Sequence, residues 1–263
     1  MITLDAILLG GGIGKRFTAE QSPSLEEIVP KQFQMLGSAP VFIHALRSLL
    51  SLGCFRQVVL AFPKQYMALA QEQIETYLSP QSTTLIRVVA GGDRRQDSST
   101  LALEAIEEVT PLPTRVLIHD ACRPYLPKDF LERVRQCLLD RAYGAWVPVI
   151  PVVDTLKRIA NSEVIETVDR SLVHRVQTPQ VFEYAVIRGL TEKTKGQPEL
   201  NFTDDASLCE YYGIPVGSFE GDVRNIKLTY DFEMETLRRI LGEKALRKED
   251  PACAPEPDTT SIV

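Results

Sequence analysis

The chain has 263 residues, of which 44% are hydrophobic and 24% charged, and its net charge is −6. This composition is typical of a globular protein with one substantial core, and the negative charge argues against a nucleic-acid binder. No apolar run approaches the length needed to cross a membrane. Five scattered cysteines favour reduced thiols in the cytoplasm over a disulfide framework or a zinc site.

The first predicted element is an apolar strand over residues 4–9, which ends in a run of glycines. Glycines allow a sharp turn and bring backbone N–H groups close to a phosphate. Arg16 and Lys31, the latter within Pro30-Lys31-Gln32, supply positive charge, so we predict a triphosphate-binding loop with both cations facing solvent. A glycine-rich turn after a strand is common, however, and this one matches neither the P-loop nor the dinucleotide-binding fingerprint.

Strands and helices alternate along the following part of the chain. Predicted strands cover residues 57–62, 84–90, 115–119, 145–150 and 215–219, and predicted helices cover 40–52, 64–78, 98–109, 127–141, 181–193, 203–212 and a last segment from 231. Nearly continuous apolar strands that alternate with helices predict an α/β fold, Rossmann-like, with a mostly parallel sheet and helices on both faces.

Two polar segments directly follow predicted strands, as the glycine loop does. They are Gly91-Gly92-Asp93-Arg94-Arg95 and Asp120-Ala121-Cys122-Arg123-Pro124. In open parallel sheets, ligands bind beyond the carboxyl ends of the strands. We therefore expect all three segments to meet in one cleft.

A different pattern begins after Pro151. Residues 152–177 form short extended pieces with a turn at Asn161-Ser162 and few large apolar residues, which predicts a projecting β-hairpin arm. A hairpin of this kind is marginally stable alone and needs a partner surface. The sequence predicts one domain over residues 1–245, and the polar residues 246–263 are predicted to be a disordered tail.

Nine short motifs, in order, resemble those of the 2-C-methyl-D-erythritol 4-phosphate cytidylyltransferase family. Beyond the glycine loop, Pro30-Lys31-Gln32 and the two strand-end segments, they include Asp154-Thr155-x-Lys157, Asp169-Arg170, Gln177-Thr178-Pro179-Gln180, Thr203-Asp204-x-Ala206-Ser207 and Asn225-Ile226-Lys227-x-Thr229. The matches run from residue 4 to about 241. Each motif is weak by itself, but nine in the right order are highly specific.

The resemblance implies a fold of the nucleotide-diphospho-sugar transferase type and one reaction. CTP and methylerythritol 4-phosphate would give the CDP-alditol and pyrophosphate, a step of the non-mevalonate isoprenoid precursor pathway. The attacking phosphate is already an anion, so the enzyme needs charge compensation and alignment rather than a protein nucleophile. The chain accordingly shows no Ser-His-Asp or Cys-His set.

The resemblance also assigns roles to residues on the nucleotide side. Arg16 and Lys31 would stabilise charge that builds up on the triphosphate in the transition state. The residues expected to line the phosphates are Gly11, Gly12 and Gly14, and those expected to hold the cytosine and ribose are Gly92, Asp93 and Ser98.

On the acceptor side, Asp120 and Arg123 would lie beside the α-phosphate and the acceptor, and Lys227 would help to place it. The residues expected to hold the alditol phosphate are Thr155, Arg170 and Thr178. In this family the arm of one subunit covers the site of the other, so the resemblance implies a homodimer in which Thr155 and Arg170 act in trans.

Triphosphate chemistry implies Mg²⁺, which proteins hold through few carboxylates together with phosphate oxygens and water. Asp120 is the candidate for a direct or indirect metal role. Other polar residues have plainer interpretations: His119 is expected to be a packed or capping histidine, the charges of the arm can be ordinary solvated side chains, and Thr203-Asp204-Asp205 can be a helix N-cap.

Two departures from the family pattern concern the glycine loop. Gly10 and Gly11 stand where family members usually carry alanines, which is expected to make the empty loop more mobile. Residues 17–29 form a longer stretch than usual and contain Glu20, Glu26 and Glu27. Their like charge near a triphosphate leaves open whether Lys31 is prepositioned.

Two other functions remain open at this point. Ribitol-5-phosphate cytidylyltransferases share several of the motifs, and the basic pair Lys157-Arg158 favours the methylerythritol enzyme over them. The second alternative is a nucleotide-binding protein without catalysis. Arg16, Lys31 and Lys227 argue against it, because simple nucleotide binding does not require all three.

Overall fold

The computed structural model describes residues 2–11, 29–197 and 199–242. Its strands, in chain order, are β1 (Leu4–Leu9), β2 (Met35–Leu36), β3 (Ala39–Pro40), β4 (Phe55–Phe62), β5 (Ile86–Ala90), β6 (Arg115–Asp120), β7 (Ala145–Pro151), β8 (Leu156–Ala160), β9 (Glu163–Val168), β10 (His174–Val176), β11 (Gln180–Glu183) and β12 (Val216–Glu220). Its α-helices are α1 (Val41–Leu50), α2 (Met67–Tyr77), α3 (Pro80–Thr83), α4 (Arg95–Ile106), α5 (Lys128–Leu139), α6 (Tyr184–Thr194), α7 (Asp205–Tyr211) and α8 (Glu233–Leu241).

One eight-stranded sheet forms the centre of the fold. Its order is β10-β7-β11-β6-β1-β4-β5, and β12 pairs with β7 as well. The contacts of β1 with β4 and β6, of β4 with β5 and of β7 with β12 are all parallel. The predicted mostly parallel α/β fold is therefore confirmed.

Helices cover both faces of this sheet. Leu8, Leu60 and Leu117 belong to a core that α1, α2 and α5 share, whereas Ile7 and Val59 belong to the core of α4, α6 and α7. All six residues of β1 are buried. Burial on both faces explains why this strand is a continuous apolar run rather than an alternating one.

The two-residue strands β2 and β3 and two short strands of the central sheet, β10 and β11, were not predicted as strands. β10 and β11 pair antiparallel with β7, and β11 also pairs with β6. β11 has only four residues, Gln180–Glu183, and was assigned to the start of a helix. So short a segment has no periodicity of its own, and its place is decided by its two neighbours in the sheet.

The projecting arm is a hairpin of β8 and β9. Asn161 and Ser162 join the strands with φ of 50° and 67°, as expected of the predicted turn. The hairpin is shorter than the predicted arm, because His174–Val176 returns to the central sheet. Three apolar side chains of the hairpin are more than half exposed, namely Ile159, Val164 and Ile165.

A polar network lies near the amino-terminal end of β1, opposite the glycines. The carboxylate of Asp5, which is fully buried, accepts hydrogen bonds from Arg56 Nε at 2.9 Å and from Gln57 Nε2 at 2.9 Å. Arg56 also donates to the carbonyl of Pro111. Because every group here is paired within the protein, this end of the sheet has a structural role.

Two remaining expectations concern the ends of the chain. The domain boundary at residue 245 and the tail 246–263 lie outside the described residues and stay predictions. Within the described ranges, no helix is both long and apolar enough to cross a membrane.

Candidate active site

The glycine loop and the segment after β5 meet at the carboxyl edge of the sheet. A Cβ atom placed on Gly11 would lie 3.0 Å from Ser98 Oγ, and one on Gly91 would lie 2.9 Å from the same atom. Ser98 Oγ also accepts a hydrogen bond from the Gly92 N–H at 3.1 Å. The predicted convergence of these two loops is therefore present, and Ser98 is the residue that both contact.

Gly10 is held on three sides. Its N–H donates to the carbonyl of Ala61 at 2.9 Å, and its own carbonyl accepts from Gln32 Nε2 at 2.6 Å. A Cβ on Gly10 would lie 2.1 Å from the buried ring of Phe62. The mobility expected of a glycine here is thus opposed by these contacts, and glycine is required because Phe62 occupies the space of a side chain.

Three predicted phosphate-binding residues, Gly12, Gly14 and Arg16, lie outside the described residues, as do Glu20, Glu26 and Glu27. Their roles stay predictions. Gly11 is the last described residue before that loop.

Lys31 is buried rather than solvent-facing. It begins the 3₁₀ turn Lys31–Phe33, only 8% of it is exposed, and its Nζ donates to the carbonyl of Leu228 at 2.6 Å. The Leu228 N–H in turn donates to the carbonyl of Cys122 at 2.8 Å. The expectation of a solvent-facing Lys31 is therefore wrong, and the open question is answered: this ammonium group is prepositioned.

The loop after β5 is shaped by its own side chains. Asp97 accepts hydrogen bonds from the Arg94 side chain and from the Arg94 N–H, and a Cβ on Gly92 would lie 2.4 Å from Asp97 Cβ. Asp93 is exposed at the tip of this loop. Of the three residues predicted to hold the cytosine and ribose, Gly92 and Asp93 lie in this loop, and Ser98 lies in the first turn of α4, where it accepts from the Gly92 N–H.

Asp120 lies at the end of β6 among three cations. Its Oδ2 is 2.8 Å from Lys227 Nζ and 3.7 Å from Arg123 Nε, and its Oδ1 is 3.6 Å from Arg95 Nε. Burial disfavours the charged carboxylate, but these cations outweigh that effect and hold the pKa of Asp120 well below its usual range. Asp120 is therefore an anion, and the three cations around it carry more positive charge than its carboxylate can neutralise.

The side chains around Asp120 carry more positive than negative charge. Arg95 Nη1 lies 2.6 Å from Asp205 Oδ2, so a second carboxylate joins the group. Among the described residues, four cations, Lys31, Arg95, Arg123 and Lys227, outnumber three carboxylates, those of Asp120, Asp205 and Asp204, the last of which also acts on Arg95. A buried site with excess positive charge favours a polyanionic ligand.

Arg123 is fixed through a backbone carbonyl. It is 8% exposed, and its Nη1 donates to the Asn225 carbonyl at 2.8 Å. Burial lowers the pKa of Arg123, and the neighbouring Asp120 partly offsets this. The Asn225 side chain donates to the carbonyl of Thr178 at 2.8 Å. The segments around Arg123, Thr178 and Asn225 are therefore joined by buried hydrogen bonds.

The hydroxyl of Thr178 points into the protein. Its Oγ1 accepts from the Asp120 N–H at 3.1 Å and lies 2.8 Å from His119 Nδ1. His119 is fully buried, and this burial lowers its pKa to about 4. The geometry agrees with the expectation of a packed histidine, while the predicted contact of Thr178 with the acceptor phosphate stays a prediction.

The arm residues are separate from this cluster. Thr155 and Arg170 are exposed, and Arg170 donates to the carbonyl of Val153 within the arm. Among the described residues, neither has a hydrogen bond or ion pair to the Asp120 group. Lys157 donates to Thr167 Oγ1 at 2.6 Å across the hairpin, and Arg158 pairs with Glu166 at 2.9 Å.

Sequence reasoning gave no role to several residues that build the site. Arg95 and Asn225 appeared only as members of motifs, and Gln32 only as the neighbour of Lys31. The available signal was their position next to strand ends and glycines. Their partners, including Asp205 and the Thr178 carbonyl, lie 110 and 47 residues away in the chain, which no local pattern reveals.

The geometry does not favour Asp120 as a direct metal ligand. Both of its oxygens face cations, and a metal ion would have to displace Lys227. Within residues 2–11, 29–197 and 199–242, no group of three or more His, Cys, Asp or Glu side chains is placed to hold a metal ion.

Comparisons with known proteins agree on one family. The family model of IspD, 2-C-methyl-D-erythritol 4-phosphate cytidylyltransferase, matches residues 4–243. A relative of that name from Carboxydothermus hydrogenoformans is 34% identical over 239 residues, which are 89% of this chain and 94% of the relative. A bifunctional enzyme IspD/IspF from Bartonella bacilliformis is 32% identical over 91% of this chain. The chain spans only 57% of that bifunctional relative.

A solved structure supports the fold independently. The 4-diphosphocytidyl-2C-methyl-D-erythritol synthase of Anaerococcus prevotii aligns with a TM-score of 0.73 and covers 92% of this chain and 99% of its own. At 24% identity, this likeness is a statement about the fold alone.

The burial of Lys31 predicts a stability effect. Lys31→Met keeps the aliphatic part of the side chain but leaves the Leu228 carbonyl without its donor. We expect the free energy of unfolding in urea to fall by about 1–3 kcal/mol, the cost of an unsatisfied buried polar group. The exposed Lys157→Met variant is the control and should change it by less than about 0.5 kcal/mol. Equal stability of Lys31→Met and the wild type would contradict the bond to Leu228.

Proposed function

Because the chain belongs to the IspD family of 2-C-methyl-D-erythritol 4-phosphate cytidylyltransferases, we propose that it transfers CMP from CTP to 2-C-methyl-D-erythritol 4-phosphate. A phosphate oxygen of the acceptor forms a bond to the α-phosphorus of CTP, and the bond from that phosphorus to the β-phosphate oxygen breaks. Pyrophosphate leaves with the electron pair. The observation that carries the proposal is the cluster of cations around the buried carboxylate of Asp120 at the carboxyl edge of the sheet.

This charge arrangement suits nucleotidyl transfer. Negative charge builds up on the oxygens around the α-phosphorus, and preorganised cations stabilise it without having to reorganise during the reaction. Lys31 is held by the Leu228 carbonyl and Lys227 by Asp120, so each ammonium group has a fixed place before the substrates bind. Arg16 would add a further cation from the glycine loop.

The reaction needs no base from the protein, and the site fits this. The acceptor phosphate is an anion at neutral pH, so it needs alignment more than activation. His119, the histidine beside Asp120, is buried, and both of its nitrogens contact other protein groups. The residues around Asp120 therefore act by placing and neutralising phosphates.

A divalent cation, Mg²⁺, is proposed to enter with CTP. When bound, it would neutralise part of the triphosphate charge. Mg²⁺ usually keeps several waters and binds substrate phosphates rather than an all-protein cage, which is consistent with the cations that surround Asp120. We therefore assign the ion to phosphate oxygens and water rather than to Asp120.

The active unit is proposed to be a homodimer with exchanged arms. Thr155 and Arg170 are exposed, and among the described residues neither has a hydrogen bond or ion pair to the Asp120 group of its own chain. The apolar side chains of Ile159 and Val164 on the same arm are 62% and 56% exposed, which leaves a surface for a partner to cover. With two-fold symmetry, each arm can reach the other cleft and supply these residues to the acceptor phosphate.

The proposed ligands are CTP and an alditol phosphate, with no nucleic acid or membrane involved. A cytoplasmic location is part of the same proposal. It is supported by Cys54, Cys122, Cys137 and Cys209, which are all free thiols, as expected in a reducing compartment.

Substrate choice tests the proposed reaction directly. With CTP and Mg²⁺, methylerythritol 4-phosphate should release pyrophosphate much faster than ribitol 5-phosphate, measured side by side in a coupled assay. Lys64→Met, an exposed substitution outside the arm, is a control that should keep the preference. Equal rates with both acceptors, or a faster rate with ribitol 5-phosphate, would contradict the assignment.

Subunit mixing tests the shared site. Arg170→Ala and Lys31→Met proteins, each inactive alone, should regain activity when mixed under conditions that allow subunit exchange. A heterodimer combines one intact Lys31 cleft with the other chain's intact arm, so roughly a quarter of all sites should recover if exchange is random. If exchange is demonstrated and no activity returns, each arm serves its own cleft.

A further inference from the structure

His119 lies at the end of β6, directly before Asp120, and is completely buried. Its Nε2 is 3.1 Å from the Arg123 carbonyl oxygen, and its Nδ1 is 2.8 Å from Thr178 Oγ1. A carbonyl oxygen can only accept a hydrogen bond, so Nε2 must carry the proton. In a neutral imidazole the other nitrogen then accepts, and the Thr178 hydroxyl must donate to Nδ1.

A second hydrogen bond of the same hydroxyl fixes which atoms donate and which accept in this series. Thr178 Oγ1 accepts from the Asp120 N–H at 3.1 Å, because an amide can only donate. The hydrogen bonds therefore run in one direction, from the Asp120 N–H to Thr178, from Thr178 to His119 Nδ1, and from His119 Nε2–H to the Arg123 carbonyl. Each group in this series has a partner of the right kind.

This series joins both ends of a short turn. Asp120 and Arg123 are its first and last residues, and the Arg123 N–H donates to the Asp120 carbonyl at 3.0 Å. His119 bonds to the Arg123 backbone directly and to the Asp120 backbone through Thr178. The backbone of this turn fixes the position of the Asp120 carboxylate, which pairs with Lys227 and Arg95.

We propose that His119, as the neutral Nε2–H tautomer, is a positioning residue that sets Asp120 and Arg123 for the reaction. It acts through backbone groups and Thr178 and touches no substrate. The inference rests on the proposed cytidylyl transfer for its kinetic consequence, but the tautomer and the hydrogen-bond series are properties of the protein alone.

Two amide substitutions of His119 each remove one of the two hydrogen bonds of the imidazole and keep the other. An asparagine side chain reaches the place of Nδ1 and can still accept from Thr178, but it loses the bond to the Arg123 carbonyl. A glutamine side chain reaches the place of Nε2 and can still donate to that carbonyl, but it offers Thr178 no acceptor. His119→Asn and His119→Gln should each lower kcat by roughly 10²-fold, the scale expected when reacting groups are misplaced by about 1 Å.

A second substitution, Thr178→Val, makes the test specific. Added to His119→Gln, which has already lost the bond between Thr178 and residue 119, it removes only the acceptor of the Asp120 N–H, so it should lower kcat less than it does in His119→Asn. Added to His119→Asn, which keeps that bond, it should lower kcat markedly. Such non-additivity is expected only of groups that act through each other. Equal effects of Thr178→Val in both backgrounds would overturn the proposal.

A matched control separates positioning from general stability. Gln57→Leu removes a buried hydrogen bond to Asp5 at the other end of the sheet, and its Tm should fall by an amount comparable to that of the His119 variants. Its kcat should stay near that of the wild type. A fall in kcat as large as that of His119→Gln would mean that lost stability, not lost positioning, explains the kinetics, and would overturn the proposal.

The tautomer can be observed without any activity. The chain has three histidines, so a long-range ¹H–¹⁵N correlation spectrum contains three imidazoles, and the His119→Asn spectrum identifies the one that disappears. We expect this imidazole to show the neutral Nε2–H pattern at pH 7.5. An Nδ1–H pattern would overturn the proposal whatever the activity, whereas a wild-type protein that releases no pyrophosphate would contradict the proposed function instead.

Discussion

The buried carboxylate of Asp120 is the interaction on which the rest of the site depends. A carboxylate taken out of water is costly unless it is paired, and cations brought close together repel each other unless an anion lies between them. Asp120 meets both requirements, since Lys227, Arg95 and Arg123 all face it. It gathers cations from three distant parts of the chain at the edge of the sheet. The charge left over is positive, which is the condition that a triphosphate and a phosphorylated acceptor need.

The two ends of the central strands differ in their polar groups, and this difference explains why the candidate site lies at the carboxyl end. Near the start of β1, the carboxylate of Asp5 is fully paired with Arg56 and Gln57, so this end stabilises the fold. At its other end, Gly10 has no room for a side chain beside Phe62, and the chain enters the glycine loop in a fixed direction. Parallel strands bring their carboxyl ends to one edge, and loops there can combine residues that are far apart in sequence. The fold thus separates a structural end from a chemical end.

The sequence alone was sufficient for features that depend on local pattern. The continuous apolar runs of β1 and β6 indicated strands buried on both faces, and Asn161-Ser162 indicated the turn of the arm. The motifs also placed Asp120, Lys227 and Ser98 in one cleft. The short strand β11, the burial of Lys31 and the inward hydroxyl of Thr178 could not be predicted in this way. Lys31 bonds to a carbonyl 197 residues away, and Thr178 contacts a histidine 59 residues away, so only the assembled sheet decides their environment.

The most direct test of this account is the turnover of Asp120→Asn. The amide has nearly the same shape as the carboxylate but carries no charge, so the substitution asks only whether the anion holds the cations in place. The account predicts a folded protein whose kcat for pyrophosphate release from CTP and methylerythritol 4-phosphate falls by roughly 10²-fold or more, the scale of losing preorganised charge stabilisation. A folded Asp120→Asn protein with a kcat close to that of the wild type would contradict the central role of this carboxylate.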